Sequence, residues 1–304
     1  MNTPYYTIIT PSYNAGDKLN RTLDSVLAQT FPDYEIIVKD ARSTDGSIEG
    51  MRRDRRINLI RTKDDGIYDG MNQALATANG EYILFLNCGD VLHDEQVLEK
   101  AADEIRRIVR ETEERARPQT ENAGKKALGA PEADYGRRKK GSVHPSAHPG
   151  AGIFYGDVVE SRTGQHVAAN PNMTHLAMYR NLPCHQACLY SRDLFRERGF
   201  DTHYIVRADY EHFLWCVIQR GAPATALPLI IADYEGGGFS ESEENRKRSA
   251  EEHEEIARRY FTDAERRRFK LYMAVTLQPL RQKLAQSPKT AALYDKVKNR
   301  IYGR

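Results

Sequence analysis

Acids and turn-forming residues stand where short apolar runs end. Pro11-Ser12-Tyr13-Asn14 follows the run Tyr6–Thr10, and Asp40 follows Glu35–Val38. Asp64-Asp65-Gly66 follows Ile57–Ile60, and Asn87-Cys88-Gly89-Asp90 follows Tyr82–Leu86. If the runs are parallel strands, the four loops share one sheet edge, where ligands of such sheets bind. Together they offer an aromatic plate, acids, and oxygen ligands for a hard cation. A nucleoside diphosphate needs that set: stacking for the base, an acceptor for base or ribose, and a metal across the phosphates. Neither G-x-G-x-x-G after the first run nor a P-loop lysine motif is present.

The elements that position these loops are readable from periodicity. The runs at 6–10, 35–38, 57–60 and 82–86 read as strands. Between them, Leu19, Leu23, Val26 and Leu27 recur at helical spacing and stop at Phe31-Pro32, and Met71, Ala74, Leu75 and Ala78 do the same up to Asn79-Gly80. Ser43 to Ser47 supplies N-cap residues, so a further helix is expected there. Such alternation predicts a mostly parallel sheet covered by helices. Residues 111–150 break the pattern, with Leu128, Tyr135 and Val143 as their large apolar residues and a basic cluster at Arg137–Lys140. Too little apolar surface is available there to offset ordering entropy, which predicts a disordered insertion; a solvated loop and a membrane or partner contact are its two readings. Order resumes in a hairpin, Ile153–Val159 with His166–Ala168, followed by a helix over Asp209–Arg220 and a strand over Ala226–Asp233. From Ser242 onward, Ile256, Tyr260, Phe269, Tyr272, Met273, Val275 and Leu277 mark amphipathic tail helices. The expected division is a domain of residues 1–240 and a tail of 241–304.

Bulk composition narrows the class. The 45 Lys+Arg against 43 Asp+Glu give a formal charge of +2, without the basic excess of a nucleic-acid binder. Four scattered cysteines do not make a disulfide framework, which favours a reducing, cytoplasmic setting. Met1 to Tyr6 shows no signal-peptide pattern, and no apolar run is long enough to span a bilayer. A soluble or surface-bound protein is expected, with a basic face of the tail helices touching anionic lipid as the alternative to ordinary packing.

Several stretches, in order, resemble the family-2 glycosyltransferases of the GT-A fold. They are Thr10–Asn14, Ser25–Thr30, and Asp40 with Ser43-Thr44-Asp45-Gly46. Asp65–Asn72 and Gly80–Asp90 narrow the resemblance to transferases of bacterial surface polysaccharides, the colanic-acid type among them. It returns at Tyr155–Val158, Cys184-His185-Gln186, Asp209-Tyr210-Glu211 and Gly236–Ser240. The resemblance implies inverting transfer of a sugar from a nucleoside-diphosphate sugar to a hydroxyl of a glycan or lipid-linked glycan, with Mg²⁺ or Mn²⁺ as cofactor. It places Pro11, Tyr13 and Asn14 against the donor base and Asp40 on base or ribose. Asp64 and Asp65 fall where the family touches the nucleotide. Asn87 to Asp90 takes the place of the metal-binding Asp-x-Asp, Asp90 being its carboxylate. Asp209 is then the general base, His185 and Gln186 line the junction of donor and acceptor, and the glycines at 236–238 cover the diphosphate.

Three residues depart from the family's pattern: Arg42 where relatives carry glycine, Asn87 where an aspartate is usual, and Ala208 before Asp209. They motivate a rival reading as an inactive glycan-binding or scaffold protein. A sugar-nucleotide nucleotidyltransferase is the rival within enzymes. Structural alternatives accompany the single residues: Tyr13 as a loop aromatic, and Asp40, Asp90 and Asp209 as caps of helices starting near Ser43, His93 and Tyr210. Cys184-His185-x-x-Cys188 invites zinc, but a structural site takes four ligands, and Cys88 and Cys216 are isolated.

Overall fold

A computed structural model describes residues 3–116, 151–236 and 242–276. Four β-branched runs form parallel strands: β1 (Tyr6–Ser12), β2 (Tyr34–Asp40), β3 (Ile57–Arg61) and β4 (Tyr82–Phe85). Their inward residues, Ile8, Ile36 and Leu84 among them, are fully buried. Helix α1 (Asp17–Leu27) joins β1 to β2 and buries Leu19, Thr22, Leu23 and Val26, the stripe expected of a half-buried helix. Helix α2 (Ile67–Leu75) lies between β3 and β4. Gly80 enters β4 against the backbone of β1, where an added Cβ would stand 2.3 Å from the Thr7 nitrogen, so only glycine fits.

The second half of the sheet is mixed. After β5 (Val91–Leu92) and α3 (Val97–Ala116) come β6 (Ile153–Glu160), β7 (Gln165–Val167), α4 (His175–Arg180), β8 (Cys188–Ser191), α5 (Asp193–Glu197), α6 (Ala208–Leu214) and β9 (Ala224–Tyr234). The strand order is β3-β2-β1-β4-β8-β6-β9-β5, with β7 beside β6. Strand β8 runs antiparallel to both β4 and β6, while β6 and β9 are parallel. The expected hairpin is β6 with β7. The α/β class holds, with β1–β4 parallel throughout and β6 and β9 a further parallel pair.

Two expectations are corrected. No helix starts at Ser43; the segment 41–50 is turns. Side chains serve its backbone donors instead: Asp40 accepts from the Ser43 N–H, Asn14 from that of Thr44 and Asp45 from that of Ser47. Such local bonds compete with helix formation. Residues 111–116 continue α3 rather than opening the insertion; 117–150 lie outside the described residues.

The chain divides into two units within α7 (Glu243–Tyr260), after Glu252. In the second, α8 (Asp263–Val275) starts with a reciprocal capping box between Thr262 and Glu265. Glu254 there receives Arg266 and Lys270. No helix among the described residues is long and apolar enough to cross a membrane.

Candidate active site

Each strand of the parallel half delivers its loop to one edge. Beyond β1, Tyr13 is 68% exposed, a ring free to stack on a ligand. Asn14 follows at φ 47°, its N–H donating to Ser43 Oγ and its Oδ1 accepting from the Thr44 N–H. The β1 and β2 loops are thereby tied together. Pro11 lies inside β1, its carbonyl facing the Cys88 thiol at 3.3 Å.

Asp40 is fully buried at the end of β2. Ser43 donates to it from Oγ at 2.5 Å and from its N–H, and Arg61 Nε stands 3.3 Å from Oδ2. In this conformation Asp40 presents no surface to a ligand; it holds Ser43, itself buried, and Arg61, whose guanidinium is partly exposed. The helix-cap alternative for Asp40 lapses with the absent helix. Arg42 adopts φ 63°, the left-handed region that favours glycine, so the glycine of relatives has a backbone reason here.

Lys39, neighbouring Asp40 on the strand, is also buried, and its ammonium group reaches Asp64 Oδ2 at 2.6 Å and the Thr62 carbonyl at 2.9 Å. The pair pins the turn after β3, where Asp64 also accepts from the Gly66 N–H. Asp65 is exposed, and its N–H donates to Asp69.

A second cluster forms around the end of β4. Asn87 Nδ2 donates to His185 Nε2 at 2.9 Å, which leaves the His185 proton on Nδ1. Nδ1 faces Asp209 Oδ2 at 3.7 Å. Asp209 Oδ1 lies 2.9 Å from the Tyr68 hydroxyl and accepts from the Tyr210 N–H. Arg207 is the N-cap of α6, and Asp209 sits within the first turn. Tyr68, Asn87, His185 and Asp209 line one small cleft. Gln186, by contrast, is buried in the 3-10 turn His185–Ala187. Glu211 is buried too, paired with Arg198 at 2.5 Å.

Asp90 lies beside this cluster. Burial pushes its carboxyl up to about 6, with His185 drawing it back and Glu235 adding repulsion. Helix α3 begins at Val97, so Asp90 caps no helix near His93. Thr22 of α1 donates to the Asp90 carbonyl and accepts from the Gly89 N–H, fixing the turn. Asn87 Oδ1 is buried without a hydrogen-bond partner. Among the described residues no group of three or more His, Cys, Asp or Glu side chains could hold a metal ion, so this turn offers one carboxylate and one carboxamide oxygen.

Several contributors escaped the sequence reading. Glu235, after β9, pairs with Lys18 and donates its N–H to Asp90 at 3.4 Å. Glu252, buried on α7, accepts the N–H groups of Ile205, Val206 and Arg207, so it sets the backbone that leads into Asp209. Tyr68 belongs to a recognised stretch but was given no role there. Gly237 and Gly238 lie outside the described residues.

The mixed α/β sheet flanked by helices, with these loops gathered at one edge, is a GT-A-like fold. Residues 7–112 match the family described as Glycosyl transferase family 2. The "PGL/p-HBAD biosynthesis glycosyltransferase" of Mycobacterium tuberculosis is 26% identical over 247 residues, covering 79% of this chain and 80% of the relative. A "Poly(ribitol-phosphate) beta-glucosyltransferase" of Bacillus spizizenii is 36% identical over 100 residues, 30% of this chain and 16% of the relative. Among solved structures, S. aureus TarS 1-349 in complex with UDP aligns with a TM-score of 0.52 at 16% identity, over 76% of this chain and 60% of that one. The mannosyltransferase PcManGT from Pyrobaculum calidifontis, in complex with GDP-Man and Mn²⁺, aligns at 0.54 and 18% identity, over 86% and 66%. These likenesses establish the fold.

Proposed function

We propose that the protein is an inverting glycosyltransferase that moves a sugar from a nucleoside-diphosphate sugar to a hydroxyl of a surface glycan or lipid-linked glycan. The carrying observation is the chain of contacts Tyr68–Asp209–His185–Asn87, which links a candidate base to the loop of Asp90. UDP and GDP-Man in the aligned structures support a nucleotide-sugar donor.

In this reading Tyr13 stacks on the donor base, with Pro11 and Asn14 shaping the loop. The base or ribose meets the exposed guanidinium of Arg61, which Asp40 holds in place. Asp64, neutralised by Lys39, fixes the neighbouring turn, and Asp65 is free to accept from the nucleotide. Asp209 takes the proton of the acceptor hydroxyl as its oxygen attacks the anomeric carbon. The bond from that carbon to the diphosphate breaks on the opposite side, so configuration inverts and the nucleoside diphosphate leaves. Proton removal by a positioned carboxylate contributes about 10²–10⁴-fold. Asp90 and Asn87 Oδ1 would hold Mg²⁺ or Mn²⁺, which neutralises charge on the departing diphosphate. His185 keeps its N–H toward Asp209, and Gln186 supports its turn from below.

The same reading puts the enzyme in the cytoplasm. The exposed Leu271, Tyr272 and Val275 of α8 are the surface to test for peripheral membrane contact. The decisive assay screens nucleotide sugars for diphosphate release and sugar transfer, with and without Mn²⁺. Transfer with one class of donor supports the proposal. Release of pyrophosphate, or no turnover with any donor, contradicts it.

A further inference from the structure

A second cavity, of about 170 Å³, adjoins the reaction cleft without belonging to it. Its walls come from β6, the residues after β7, α4 and the segment leading to His185. The floor is made of small residues, Ala168, Ala169 and Ala177 among them. Gly156 of β6 also contributes, at an irregularity where the β6–β9 register shifts on both sides of Asp157. An added Cβ there would meet the Leu229 carbonyl at 2.5 Å, so glycine is fixed by the packing of β9. Bulges of this kind are over-represented beside active sites.

The wall toward the reaction cleft ends in Cys184, directly before His185. Burial pushes the Cys184 thiol up to about 11, and the carboxylates of Asp90 and Asp209 add to the effect, which places that wall within electrostatic reach of both acids. Arg180, exposed in the last turn of α4, also lines the cavity and makes no ion pair among the described residues. The nearby acid on β6, Asp157, is already engaged by His166 at 2.7 Å and by the Ala169 N–H at 2.8 Å. Among the described lining residues the cavity therefore has one uncompensated charge, a guanidinium, and its Cys184 wall leads to a reaction centre of two acids that, in the transferase reading, also receives a diphosphate.

A neutral acceptor has no use for that cation. An anionic one would be repelled by Asp90, Asp209 and the donor unless a fixed cation held its charge, and a guanidinium suits carboxylate and phosphate alike. We propose that this cavity is the acceptor subsite and that Arg180 selects an anionic saccharide, bearing either a carboxylate or a phosphate. The inference rests on the transferase reading above and names the substrate class of the same site.

The test uses the full chain with its best donor and three matched acceptors: a neutral hexoside, its uronate and its phosphate ester. Wild-type protein should favour one anionic acceptor over the neutral one by about tenfold or more in kcat/KM, and which one wins identifies the source of the charge. Arg180→Gln should erase that preference by raising the KM of the anionic acceptor, with neutral transfer and donor hydrolysis unchanged. Arg180→Lys should restore part of it, which a role limited to ending α4 would not produce. Ala168→Trp, filling the cavity, should abolish transfer and leave donor hydrolysis. Equal use of neutral and charged acceptors by wild type, or an equal loss on both in Arg180→Gln, overturns the inference. Loss of donor hydrolysis in wild type with every donor would instead overturn the transferase reading. Calorimetry of acceptor binding to wild type and Arg180→Gln then still decides the subsite.

Discussion

The hydroxyl of Tyr68 stands 2.9 Å from Asp209 Oδ1 and 3.0 Å from the Val206 carbonyl, joining α2 to the start of α6. One phenol thus fixes both the candidate base and the backbone that presents it. Tyr68→Phe keeps the ring packed on Phe200, 5.3 Å away between centroids, and removes only the hydroxyl. A hydrogen bond to a charged group is worth about 1.5–3 kcal/mol. Turnover should fall by about tenfold or more with donor KM unchanged; steady-state kinetics in both substrates reads the split. An unchanged kcat would remove Tyr68 from the mechanism.

The Asp90 carboxyl, pushed up to about 6 by burial, gives a pH signature. Its folded pKa lies above the ordinary 3.8, so the folded chain holds this proton more tightly than the unfolded one. The group's contribution to stability is full below about pH 4 and is lost as pH rises through about 6. Asp90→Asn should therefore stabilise the ligand-free protein at pH 8, by at most ~2–3 kcal/mol, and change little at pH 4. Mn²⁺ affinity in the presence of nucleoside diphosphate should weaken as pH falls below about 6, and in Asp90→Asn it should be low throughout. Calorimetry across pH 4–8 measures both. A stabilisation that is equal at pH 4 and 8 would contradict the burial argument.

Lys39 and Asp64 form a pair that is costly to halve. Lys39 is fully buried and Asp64 is 12% exposed in its side chain. Breaking a buried pair by removing one partner costs about 3–5 kcal/mol, whereas replacing both with neutral groups is often tolerated. Lys39→Met alone should lose about that much in urea unfolding, and Lys39→Met with Asp64→Asn should recover most of it. A double variant no more stable than the single one would mean that the ammonium group matters through Thr62 rather than through Asp64.

The strands and their loops were legible because β-branched runs are bounded by turn residues and acids, as at Tyr6–Asn14 and Tyr82–Asp90. The cleft was partly legible, since Asp209 and His185 lie in short recognisable stretches. Three kinds of feature were not. The Ser43 segment carries N-cap residues, yet its side chains satisfy the backbone as turns. Glu252 binds the backbone of residues 205–207 from a helix far along the chain, and no local pattern announces such a partner. Burial of Asp40 behind Ser43 and Arg61 depends on the pairing of β2 with β3, which sets Asp40 across from Arg61. The sequence named the acid without its screen.

The assignment of Asp209 as the base is the centre of the account. Asparagine keeps its shape and removes the proton acceptor, while Arg207, not Asp209, is the N-cap of α6. The direct measurement is donor affinity and turnover of Asp209→Asn beside wild type. The account predicts unchanged donor affinity and a fall in kcat on the order of 10² or more. Near-wild-type kcat in a folded Asp209→Asn protein would contradict it.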